Sequence, residues 1–183
     1  MSLARTRIAA RLLAVAALAA LTAGCFQPMY AERTDGTPGL REKLMGVEVP
    51  PVDKPNASRE ARIQVEIRNA LAFKLYGNAT GMPPTHKLVL RFSTSRSSLL
   101  LNPTTALPSS ENYGLDAQYN LIELATNKSV MTGTTFSRVS YDIPGSYQRF
   151  ARARPFRDAE DRACQEIAEH IQTRLASFFY AGT

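Results

Sequence analysis

From Ala159 onward, the apolar residues Ala163, Ile167, Ile171, Leu175 and Phe178 recur at spacings of four and three, with Glu160, Asp161, Arg162, Glu166, Glu169 and Arg174 between them. That period lays one apolar stripe along an α-helix. Run from Pro155 to Tyr180, such a helix is about 39 Å long at 1.5 Å per residue. A stripe of that length must lie against an apolar face of matching size. The sequence supplies one upstream: Tyr113, Leu115, Ala117, Tyr119 and Leu121 alternate with Gly114, Asp116, Gln118 and Asn120, as a strand with one buried face requires.

Other segments complete the pattern. Ile63, Ile67, Ala70, Leu71 and Leu75 form a second helical stripe, with Asn56 or Ser58 available as its N-cap and Gly77 as its C-cap. Leu88, Leu90 and Phe92 alternate as a strand that fades at Ser93–Ser98. Ile122 and Leu124 shift the phase of the long strand, which predicts a bulge. Thr126–Ser129 reads as a turn, and Val130–Tyr141 as a returning Thr-rich strand. Leu44–Val49 reads as a short first strand closed by Pro50-Pro51, and so at a sheet edge. Ser146 begins the last element, with Pro155 either kinking it or lying in the first turn of its main helix. The expected fold is α+β in the order β-α-β-β-β-α: a two-layer sandwich of two amphipathic helices on a mainly antiparallel four-stranded sheet.

Residues 1–24 stand apart. Arg5, Arg7 and Arg11 precede an apolar run from Leu12 to Leu21. About ten residues are too few to span a bilayer but match the core of a signal peptide. Ala23 and Gly24 directly before Cys25 then read as a lipoprotein processing site, with Cys25 carrying a diacylglycerol and, on its new amine, an N-acyl chain such as palmitate. Phe26 after the cysteine points to the outer membrane. The alternative is an ordinary secretory signal that leaves Cys25 a plain thiol. The domain reading is therefore signal peptide 1–24, lipidated tether 25–43 and one α+β domain 44–183.

Loss of the leader removes three of the 22 Lys and Arg residues, leaving 19 against 16 acids, a balance of +3. An exported chain of this kind does not meet nucleic acid; its anionic partners are lipid headgroups, phosphorylated glycolipids or acidic protein surfaces. With Cys25 acylated, Cys164 is a lone thiol, and its place in the helical period reads as packed rather than reactive. His86, at a strand start, and His170, inside a helix, have no metal-ligand spacing around them. No phosphate loop or nucleophile elbow occurs. No metal site, cofactor or enzymatic activity is expected.

Arginine is the more informative residue. Arg149, Arg152, Arg154 and Arg157 fall within nine residues with no acid among them, at a helix start where cations oppose the dipole. Arg91, Arg96, Lys128 and Arg138 add charge along the sheet. Bidentate guanidinium groups suit phosphates and carboxylates, so these eight are candidate contacts to glycolipid or an acidic partner; the alternative is a solvated face. Leu99, Leu100, Leu101 and Leu107 lie in a segment without clear period, either a partner-contact loop or one folded back over the sheet.

Cys25-Phe26-Gln27-Pro28-Met29-Tyr30 resembles the Cys-Gly-Phe-x-Pro-Leu-Tyr opening of the LptE family of lipopolysaccharide-assembly lipoproteins, particularly its alphaproteobacterial members. This chain lacks the Gly and carries Met29 for Leu. The order of elements and the ending Arg174-Leu175-Ala176-Ser177-Phe178-Phe179 are also similar. The resemblance implies an outer-membrane lipoprotein on the periplasmic side that plugs the lumen of the β-barrel LptD, helps it assemble, and assists lipopolysaccharide delivery to the outer leaflet. The alternative is a periplasm-facing lipoprotein that binds lipid or glycolipid without a barrel partner.

Overall fold

The computed structural model describes residues 36–49, 51, 57–77, 82–101, 108–144 and 149–181, except the side chains of Leu100, Arg149, Phe150 and Arg152. The leader, Cys25, the opening motif, Asn56 and Leu107 lie outside them. In chain order the elements are α1 (Leu40–Met45), β1 (Val47–Glu48), α2 (Arg59–Tyr76), β2 (His86–Leu101), β3 (Pro108–Glu123), β4 (Lys128–Asp142) and α3 (Arg149–Ala181).

Cap chemistry sets the bounds of α2. The Ser58 side chain accepts from the Ala61 amide at 3.0 Å, and Gly77, at φ 64°, donates its amide to the Phe73 carbonyl at 2.8 Å. Between these caps the expected stripe is buried: Ile63, Ile67, Ala70, Leu71 and Leu75.

The sheet order is β1-β2-β3-β4, with β1 parallel to β2 and the other pairs antiparallel. The fold is thus the expected α+β sandwich, a β2-β3-β4 meander with β1 at its edge. Pairing runs from His86↔Glu123 to Leu101↔Pro108 and from Glu123↔Lys128 to Ser110↔Asp142. The second ladder shifts register between Leu121 and Ile122, where the change of phase predicts a bulge. The turn itself is Leu124–Asn127, with Asn127 left-handed at φ 54°.

Tyr113, Leu115, Ala117, Tyr119 and Leu121 point to the helix layer and are buried, together with Val139 and Tyr141 of β4. Against them α3 buries Ala159, Ala163, Cys164, Ile167, Ala168, Ile171, Leu175, Ala176 and Phe179. Each fully buried Leu or Ile contributes about 1.5–3 kcal/mol over its exposed state. Two polar contacts fix the rotation of α3: Ser137 Oγ donates to Glu166 at 2.6 Å, and Thr135 Oγ1 lies 2.9 Å from His170 Nδ1.

Several expectations change. Leu44 and Met45 belong to a helix rather than the first strand, and the strand keeps only Val47 and Glu48. Leu40 and Leu44, four apart, bury one helical face, so Leu40–Lys43, read as the end of the tether, are helical. A short apolar run carries too few residues to separate the two periods. β2 does not fade at Ser93 but continues to Leu101, because pairing with β3 sustains a strand whose own side chains are exposed on both sides. Leu99, Leu100 and Leu101 are therefore strand residues and not a loop. The last helix begins at Arg149 and runs through Pro155, which lies inside it. Its buried phenylalanine is Phe179, while Phe178 is partly buried, because 3.6 residues per turn drifts off the fours-and-three spacing over five turns.

Candidate functional site

The candidate site lies where the ends of β2, β3 and β4 meet the first turns of α3. The early turns of α3 place Phe156, the residue after Pro155, over the sheet end, edge-on to Tyr113 (5.7 Å, 90°) and Tyr141 (5.7 Å, 62°). Two guanidinium groups cover the same ring, Arg59 at 4.4 Å and Arg96 at 5.1 Å from its centroid. Arg154 and Arg157, on either side of Phe156 in the chain, are exposed. The Tyr141 hydroxyl donates to the Glu111 carboxylate. Burial, then that carboxylate, pushes the hydroxyl up to about 12, with Arg96 opposing. It remains a neutral donor at any physiological pH.

Behind the ring, the Glu160 carboxylate is 2% exposed and is held by Arg59 Nε at 2.6 Å and by Arg62 Nη2. Arg62 also reaches Asp161 at 3.0 Å. Arg59 and Arg62 are thus largely spent on internal pairing. Arg96, Arg154 and Arg157 form no ion pair among the described residues. Beyond them the outer half of β2, exposed on both faces, forms one side of a hairpin arm with β3 and ends in Leu99 (50% exposed) and Leu101 (61%).

The eight basic candidates therefore divide. Arg96, Arg154 and Arg157 gather at this end, with Arg149 and Arg152 on the same helix turns. Arg91 and Arg138 stand on the opposite sheet face, which no described helix covers and which carries Ser, Thr, Asn and Gln around the exposed Phe136. There Arg138 is paired with Asp116 at 2.6 Å and lies 5.4 Å from the Phe136 ring. Arg91 lines shallow clefts of about 420 and 490 Å³ on this face. Lys128 opens β4 at the far end of the molecule.

The residues that sequence reasoning missed are Arg59, Arg62, Phe156, Tyr141, Glu111 and Glu160. One signal for the first two was present: paired arginines in the first turn of α2 oppose its dipole, as the α3 cluster does.

The remaining candidates for chemistry are packed. Cys164 is buried, and burial followed by the charges of Asp161 and Glu66 pushes its thiol up to about 12. His86 lies edge-on to Phe179 at 5.1 Å with Thr85 Oγ1 2.9 Å from Nδ1, and burial lowers its pKa while Glu123 opposes. Among the described residues no three His, Cys, Asp or Glu side chains are grouped to hold a metal.

The fold has relatives among solved structures. A candidate lipoprotein from Caulobacter crescentus superposes with a TM-score of 0.60 at 21% identity, covering 79% of this chain and 97% of that one. Rare lipoprotein B from Shewanella oneidensis (TM-score 0.49, 18% identity, 63% and 85% covered) and a minor lipoprotein from Acinetobacter baumannii (0.47, 10%, 67% and 86%) are more distant. No curated protein matches the sequence. The family model described as LptE, lipopolysaccharide-assembly, matches residues 44–175, which takes in every element from the end of α1 to the last turns of α3. The chain belongs to the LptE family of lipopolysaccharide-assembly proteins.

Proposed function

We propose that the chain is an outer-membrane lipoprotein, held on the periplasmic side by acylated Cys25, that occupies the lumen of an LptD-type β-barrel. In this reading it helps that barrel assemble and assists delivery of lipopolysaccharide to the outer leaflet. The acyl groups on Cys25 are its only prosthetic groups, and no catalytic step is assigned to it. The observation that carries the reading is the β2-β3 arm. Its outer strand, exposed on both faces, tipped by Leu99 and Leu101 and flanked by Arg96, Arg154 and Arg157, which have no ion-pair partner among the described residues, has too little core of its own to account for its length. It is built to lie against something, and the chemistry of its surface suits a protein wall on one side and anionic glycolipid on the other.

The test is photo-crosslinking in living cells. A photoactivatable residue at Leu99 or Leu101 is expected to capture the barrel protein, and depletion of the chain is expected to leave that barrel misassembled. Crosslinks to lipid alone, with the barrel assembling normally after depletion, would overturn the reading in favour of a glycolipid-binding lipoprotein without a barrel partner.

A further inference from the structure

β4 is the last strand of the sheet, and no described strand lies on its outer side. The pairing fixes which of its backbone groups face that side. Ile143 N donates to Ser109 O at 2.9 Å, so Ile143 is turned toward β3, and the register runs without a shift from Ser110↔Asp142 to Leu121↔Met131. Alternate residues turn the same way. Tyr141, Val139, Ser137, Thr135 and Gly133 bond to β3, while Asp142, Ser140, Arg138, Phe136, Thr134 and Thr132 direct N–H and C=O away from the sheet. The Ser140 carbonyl agrees with this parity, since it accepts from Arg162 Nη2 at 3.5 Å on the outer side. From Thr132 to Arg138 no described group pairs with the edge.

Such an edge is normally blunted by shortness, lysine, proline or a bulge. The opposite edge of the sheet fits that rule: β1 has two residues, with Pro50-Pro51 close behind. Between Thr132 and Val139, β4 has no Lys, no Pro and no register shift. Its one charge there, Arg138, bends back over the sheet to Asp116 (2.6 Å) and to the Ser137 carbonyl (2.9 Å), and Phe136 beside it is 63% exposed. Thr132, Thr134, Phe136 and Val139 all favour strand, so this edge is ready to pair.

α3 runs alongside it. Arg162 stands at Ser140, Glu166 accepts from Ser137 Oγ at 2.6 Å, and His170 Nδ1 is 2.9 Å from Thr135 Oγ1. Arg174, next on the same exposed row, acts on the hydroxyl of Tyr119, the partner of Gly133, and has no ion-pair partner among the described residues. The outward groups of β4 recur every two residues, about 7 Å, a spacing that an extended polypeptide matches and an acyl chain does not. A second copy does not fit, because its β4 would lie about 4.8 Å away and carry its own α3 nearly as close, where packed helices need 8–10 Å. The wall of a closed barrel does not fit either, because both edges of its strands are already paired.

We propose that the β4 edge from Thr132 to Arg138 takes, by strand addition beside α3, an extended segment of the barrel protein that lies inside the lumen apart from the wall. The inference rests on the reading of the chain as the occupant of such a barrel. It is separate from the arm: β2 offers side chains to a wall, whereas β4, on the other side of the sheet, binds through its backbone.

The test uses the complex purified from membranes, with a photoactivatable residue at Thr132, Thr134 or Phe136 and, as reference, at Leu99. The three β4 sites are expected to map to one non-wall stretch of the barrel protein, advancing about two residues per step and bearing an acidic residue beside Arg174. Capture of the barrel from Leu99, with the β4 sites mapping to wall strands, to scattered positions or to a second copy, overturns the strand addition and leaves the barrel reading standing. Failure of all four sites to capture the barrel overturns both. Proline separates the backbone from the side chains: Thr134→Pro removes an outward N–H, and Thr135→Pro one that faces β3. Thr134→Pro is expected to keep the Tm of the lipidated chain and to lower the Phe136 crosslink about tenfold while sparing that from Leu99, whereas Thr135→Pro lowers the Tm. A Thr134→Pro variant that melts as early as Thr135→Pro, or that folds and crosslinks in full, overturns the proposal.

Discussion

Glu160 shows how far a single residue can depart from its pattern. By helical period it belongs to the polar side of α3, yet it is buried, because the first turn of α2 brings Arg59 and Arg62 against it. A carboxylate so deep is stable only while its counter-charges stay. The Arg59→Ala/Arg62→Ala double variant strands the charge and is expected to lose about 3–5 kcal/mol in denaturant unfolding. Glu160→Gln removes the charge itself and leaves two guanidinium groups that are each 34% exposed and can rehydrate, so it should cost distinctly less. Equal losses would show that the carboxylate is not desolvated. Nothing in the sequence marks Glu160 apart from Asp161 beside it, since the difference lies wholly in which element packs opposite.

At the scale of elements, β3 and β4 meet so closely that one position admits no side chain. Tyr119 lies across β4 at Gly133, where an added Cβ would overlap the Tyr119 hydroxyl oxygen and fall 2.5 Å from Cζ. Gly133→Ala is therefore expected to cost about 1–3 kcal/mol by overpacking. Tyr119→Leu should relieve most of that cost when the two are combined, and a double-mutant cycle in urea measures the coupling; an additive pair would place the strain elsewhere. The strand and helix that bury a regular face, β3 and α3, were legible because 2.0 and 3.6 residue periods leave a direct trace in the order of apolar residues. The outer half of β2 was not, because Ser93–Ser98 bury nothing and hold their conformation through hydrogen bonds to β3. The short α1 escaped for the related reason that Leu40 and Leu44 alone cannot declare a period.

At the scale of the domain, the two ends differ: Arg96, Arg154 and Arg157 gather with aromatic rings at the arm, while the described lysines lie with Arg41, Met82 and Tyr180 on the elements where the chain enters. His86 belongs to the second end. Burial lowers its pKa in the folded state, so below the ordinary value of about 6.5 the unfolded chain binds a proton more readily than the fold does. Stability should accordingly fall as the pH drops from 7 through that value, and His86→Gln should flatten the fall; a Tm profile from pH 7.5 to 5 that is the same in both proteins would remove His86 from the account. The division of the basic candidates among the arm, the open sheet face and the turn end was hidden in the sequence, where Arg91 and Arg96 stand five residues apart but point to opposite sides of one strand. Periodicity and turn chemistry, which are local, determined the fold class, the layer arrangement and most of the core from sequence alone. Which charges meet, which are buried and which surfaces remain open depends on contacts between residues as distant as Arg59 and Glu160, or Arg96 and Phe156, and those were decided only when the helices settled on the sheet.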